Sequence, residues 1–118
     1  DQGLTADVLS GIGSANLRLG RLGQAEENLR MAIELDEDFP PAWNNLGVVL
    51  MELGDYGEAM RVFQQAFALD SGQSDSIREN LRLSIERMEN PSYSAENNQS
   101  HFDLVRRGGG RYTLTSAP

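Results

Sequence analysis

The sequence predicts an all-α fold, a solenoid of antiparallel helix pairs that ends in an irregular C-terminal tail. Three observations predict it: the chain matches itself when displaced by 34 residues, apolar residues recur at helical spacing between glycine breaks, and the composition changes at Asn90. In the displaced register Gly13 meets Gly47, Leu19 meets Leu53, Gly20 meets Gly54, Gly23 meets Gly57, Ala25 meets Ala59, Ala32 meets Ala66, Leu35 meets Leu69 and Asp36 meets Asp70. Conservative pairs such as Leu29 with Phe63 and Ile12 with Leu46 fill the intervals. Self-similarity at a fixed period marks a repeat architecture, in which each unit buries its apolar face by stacking on the next.

Taken in order, Leu9, Ile12, Asn16 and Leu19 lie at helical spacing and Gly20 stops that run, which predicts a helix near 5–18. Leu22, Ala25, Leu29, Ala32 and Ile33 form the stripe of a second helix near 22–35. Only a few residues join the two, so they run antiparallel. Pro40 and Pro41 suit the first turn of a third helix, near 40–52, with Asp38 as its expected cap. Asp55 followed by Glu58 reads as a capping-box variant opening a fourth helix near 56–69. Gly13, Ala25 and Ala32, repeated at Gly47, Ala59 and Ala66, let backbones approach, and Leu29 and Phe63 fill the gaps. A fifth helix, 74–89, carries Ile77, Leu81, Ile85 and Met88 on one stripe and is stopped by Asn90-Pro91. No partner helix follows it, so it is expected to cap the stack. The domain is thus expected to occupy 1–90, with repeats at about 6–39 and 40–73. Residues 91–118 then form a flexible tail in which a hairpin within 102–115, around the three glycines, is expected to be marginal at best.

The second unit reads Trp43-x-x-Leu46-Gly47-x-x-Leu50, then Gly54-Asp55-Tyr56, then Ala59-x-x-x-Phe63-x-x-Ala66. In this succession of large, small and aromatic positions it resembles the tetratricopeptide repeat. Leu50 stands where the family pattern has an aromatic, and Ser71 where it has a proline. The first unit is a weaker copy, without the aromatics or the proline. The resemblance covers about residues 5–90 and implies the tetratricopeptide superhelix, whose concave groove is lined by the first helix of each pair. It also implies a protein-protein interaction scaffold, not an enzyme, that holds an extended peptide segment of a partner in that groove. The groove residues it implies are Ser14 and Arg18 from the first helix, Asn44, Asn45, Val48 and Met51 from the third, and Arg78 and Arg82 from the capping helix. Asn45 matches the position whose amide pairs with the backbone of a bound peptide, since an amide both donates and accepts. The first unit has Gly11 at that place, and the further Lys and Asn residues of the family's carboxylate clamp are missing, so a chaperone-tail clamp is not expected. The chain is similar, too, to small bacterial tetratricopeptide proteins of secretion, envelope or pilus assembly.

Composition narrows the chemistry. There is no cysteine and one histidine, His101, which removes thiolate chemistry and multi-histidine metal sites, so no metal and no cofactor are expected. The acidic run Asp36-Glu37-Asp38 is broken by Phe39-Pro40-Pro41 and lacks the spacing of a calcium loop. Residues 1–90 hold 16 acids and 7 arginines, and residues 91–118 hold two acids and three arginines, net −9 and +1. So acidic a body disfavours nucleic acid, and Arg107-Gly-Gly-Gly-Arg111 is a single unit of an RNA-binding pattern. No apolar run reaches the length of a membrane span, so direct membrane insertion is not expected. Two repeats and a cap make a short array, which is expected to gain support from a homodimer or from an upstream repeat. The chain opens on Asp1, so a processed product or an excised fragment is expected, and bacterial cytoplasm and periplasm or envelope both stay open. The alternative function is a self-associating assembly module whose tail docks on its own or a neighbouring repeat surface.

Overall fold

The computed structural model describes residues 3–90 in full and residues 101–105 and 111–115 as backbone. Five helices follow one another: α1 (Ala6–Arg18), α2 (Leu22–Leu35), α3 (Pro40–Glu52), α4 (Tyr56–Leu69) and α5 (Asp75–Glu89). Helices α1 and α2 pack as one antiparallel pair and α3 and α4 as the next, while α2 also packs on α3 and α4 on α5. The first helices of each unit, α1, α3 and α5, form an inner row, with α2 and α4 outside it. This is a helical-repeat solenoid.

The core explains the small residues. A methyl group added at Gly47 would stand 2.4 Å from the Phe63 ring, and one at Gly13 would stand 2.6 Å from Leu29 Cγ. Both distances are well inside van der Waals contact, so these two glycines set how closely α1 approaches α2 and α3 approaches α4. Leu29, Phe63, Ala25, Ala59, Leu46 and Leu50 are almost fully buried around these contacts. Trp43 packs against this cluster between the repeats, and its indole Nε1 donates to the Glu37 carbonyl at 2.8 Å.

Several helix ends have a local cause. Thr5 and Ser74 accept from the backbone N–H groups of Val8 and Ile77, capping α1 and α5. Asp55 accepts from Glu58 N at the start of α4. At α3 the expected cap is corrected: the capping position is Phe39, with no side-chain bond, while Asp38 N donates to Asp36 Oδ1. Proline at the first position removes one of the N–H groups that a cap would serve. Gly20 and Gly54 end α1 and α3 at φ of 78° and 84°, and the carbonyls of Asn16 and Leu50 accept from Arg21 N and Asp55 N. These are Schellman closures, which need a left-handed residue that glycine supplies without strain.

Beyond α5, strands β1 (His101–Val105) and β2 (Arg111–Thr115) pair antiparallel, with Phe102 opposite Leu114 and Leu104 opposite Tyr112. Strand β1 lies against α3 and α5. An isolated hairpin has no such support, which is what makes it marginal. The expected linker, 91–100, and the glycine turn at 106–110 lie outside the described residues.

Candidate functional site

The inner row carries a line of buried polar side chains. Asn80 Nδ2 on α5 donates to Asn44 Oδ1 on α3 at 2.9 Å, Asn44 Nδ2 donates to Asn45 Oδ1 at 3.1 Å, and Asn45 Nδ2 donates to Ser14 Oγ on α1 at 2.9 Å. The three amides are fully buried, and Ser10 and Ser14 nearly so. A buried amide without partners costs about 1–3 kcal/mol, so the bonds from each member of the line to the next offset a large desolvation cost. The line crosses all three inner helices, and β1 lies against two of them.

Of the residues that the resemblance implies for the groove, the structure brings Ser14, Asn44 and Asn45 into this line, with Val48 and Met51 buried further along α3. Arg18 is exposed at the end of α1. Arg78 and Arg82 are not brought to the line: they stand on the exposed side of α5, paired with Asp75 and with Glu79 respectively, Arg82 also reaching Glu86 at 3.8 Å. The carboxylate of Glu79 holds the Arg82 guanidinium above its ordinary pKa.

The reason lies in the turn before α5. Four residues, 36–39, separate α2 from α3, whereas five, 70–74, separate α4 from α5. Helix α4 ends in its own Schellman closure, with Ser71 left-handed at φ 58° and Gly72 N donating to the Phe67 carbonyl at 2.9 Å. Asp70 then accepts from Gly72 N and Ser74 N. The extra residue turns α5 by about 100° relative to the 34-residue register, so that Asn80, not Glu79, takes the place of Asn45. Asn80 is the member of the amide line that repeat spacing misses. Counting from the observed caps, Phe39 and Ser74, places Asn80 level with Asn45, but the sequence suggests Asp38 in place of Phe39 and so does not give that register.

A concavity of about 280 Å³ opens between α2, α3 and α4 over Ile33, Trp43, Leu46 and Val62. Arg30 at its rim is bonded to both Glu26 and Glu58 at 3.0 Å, so its charge is engaged in joining the repeats. Among the described residues no group of three or more His, Cys, Asp or Glu could hold a metal ion, and no helix is long and apolar enough to cross a membrane.

An inner row of first helices, an outer row of second helices and a polar line along the inner face give the chain a tetratricopeptide-type architecture. Comparisons with known proteins agree: residues 13–54 match the family described as TPR repeat and residues 40–72 the family described as Tetratricopeptide repeat. The two matches together span about half the sequence, and the chain belongs to the tetratricopeptide repeat proteins. Proteins of this family are generally protein-interaction modules and typically non-enzymatic scaffolds. Over 66 residues, 56% of the chain, it is 35% identical to Cellulose synthase 1 operon protein C of Komagataeibacter xylinus. Over the same length it is 33% identical to Cellulose synthase operon protein C of Komagataeibacter sucrofermentans. The match spans 5% of the length of each of these relatives. The crystal structure of the Sgt2 TPR domain from Aspergillus fumigatus superposes with a TM-score of 0.68 at 24% identity, over 86% of this chain and 66% of that one. That likeness is one of fold.

Proposed function

We propose that the chain is a scaffold that binds an extended peptide segment of a partner protein along its inner helical row, in a groove formed by Ser14, Arg18, Asn44, Asn45, Val48 and Met51 and completed by Asn80. The observation that carries this reading is the amide line from Asn80 through Asn44 and Asn45 to Ser14. Primary amides present donors and acceptors together, which is the chemistry that reads the backbone of an extended segment. Arg18 would steer an acidic segment end, with Arg78 and Arg82 adding long-range attraction that salt screens. The acidic body argues against nucleic acid as the partner.

Peptide display against the immobilised full chain, followed by NMR mapping of a selected peptide, tests the reading. Shift changes should concentrate on α1, α3 and α5. Asn45→Ala should weaken binding by about 1–3 kcal/mol at unchanged helicity, and Arg82→Ala by less than about 1 kcal/mol. Shift changes confined to the outer helices, around Arg30 and Arg61, would reject the groove.

The second reading, an assembly module whose tail docks on its own or a neighbouring surface, has one observation in its favour: β1 lies against α3 and α5.

A further inference from the structure

We propose that the strand pair β1–β2, residues 101–105 and 111–115, is the resident occupant of the inner groove, a plug held in cis that an external segment must displace. This rests on the groove reading above and adds its regulation. Three observations meet here. Strand β1 lies against α3 and α5, the two helices that carry Asn44, Asn45 and Asn80. Those three amides have no exposed surface at all, and Val48 and Met51 on α3 are 0% and 4% exposed. The tail from residue 91 carries net charge +1 where the body carries −9, so the two attract. The plug also takes the form the groove would select, an extended strand, with its N–H and C=O groups on one side engaged by β2.

Tethering makes such a plug effective even when its own affinity is weak. Ten residues, 91–100, join the end of the solenoid to β1. A short linker of this kind gives a local concentration on the order of 1 mM, so a hairpin whose free counterpart binds at about 0.1 mM would be docked about ten to one. An external ligand then meets an open groove only in the remaining fraction, and its apparent affinity falls by the same factor. The groove is closed by default and opens by competition.

The test compares the native chain with a full-length chain opened by Leu104→Pro and Tyr112→Pro, which face each other in the hairpin and whose loss of N–H groups and fixed φ break its pairing. The probe is a fluorescent synthetic peptide of residues 101–115. It should bind the opened chain at least tenfold more tightly than the native one, and the native chain alone should protect amides 101–105 from hydrogen exchange, independently of protein concentration. Val48→Lys in the opened chain should abolish peptide binding. Met51→Glu, at the edge of the same stripe, makes the same test if the lysine variant loses helicity.

Equal peptide affinity for native and opened chains would overturn the plug, and so would absence of saturable binding to the opened chain below about 1 mM. Protection that appears only as the native chain dimerises would overturn it as well, giving the hairpin to a second copy. If Val48→Lys and Met51→Glu abolish binding while native and opened chains bind alike, the groove reading stands and the plug falls. If neither substitution affects peptide binding, the groove reading falls, and the plug with it.

Discussion

Gly47 and Gly11 sit on inner helices of successive repeats, yet they do opposite things. Gly47 has the Phe63 ring where its Cβ would be, whereas an added Cβ at Gly11 meets nothing within 4 Å. Gly47→Ala should therefore lower stability by about 1–3 kcal/mol through overpacking, and Gly11→Ala should leave it unchanged or raise it by up to about 1 kcal/mol through helix propensity. Urea midpoints of the two variants check both signs. The first outcome was legible in the sequence, because Gly13 and Gly47 recur in one register opposite large residues at Leu29 and Phe63. The amide line was legible only in part. Asn44 and Asn45 stand out as polar residues in a helix that is otherwise apolar up to Glu52 at its end, but Asn80 lies among Arg, Glu and Ser, where nothing local marks it as buried.

At the scale of elements, helix existence and order follow from residues that act locally: the apolar stripes, Gly20 and Gly54 at left-handed turns, and Pro40 at a first turn. The rotation of α5 does not. It depends on whether α4 closes with a left-handed residue, and Ser71 gives no sign of taking that role, since a non-glycine residue rarely adopts positive φ. The position of β1 was not legible either, because it is a contact between segments far apart in the chain, and pattern reports neighbours. Ser71 also offers a test of the closure. With φ at 58°, the serine carries a steric cost that glycine lacks, so Ser71→Gly should stabilise the protein by about 0.5–1 kcal/mol. A thermal melt that falls instead would mean that the turn before α5 relies on something other than this backbone conformation.

Across the whole molecule, stability depends on how many neighbours each helix finds. Helix α3 packs against α1, α2, α4, α5 and β1, whereas α1 touches only α2 and α3 to a comparable degree. The repeat register turns this into a controlled comparison. Val8 and Ile12 on α1 occupy the places of Ala42 and Leu46 on α3, yet they are 41% and 42% exposed against 0% and 1%. The difference is the outer helix of the preceding repeat: α2 covers Ala42 and Leu46, and among the described residues no helix covers Val8 and Ile12. Two aliphatic residues at the same repeat position should then have very different energetic weight. Leu46→Ala empties a site at the junction of two repeats and should cost about 2–5 kcal/mol, while Ile12→Ala should cost less than about 1 kcal/mol. Because Leu46 joins helices from both repeats, its loss should not release one pair and leave the other intact. Trp43 fluorescence and far-ultraviolet circular dichroism should report one common, lowered urea midpoint for Leu46→Ala. Two separated transitions would mean that the repeats unfold as independent units and that their interface contributes less than the packing around Leu46 implies.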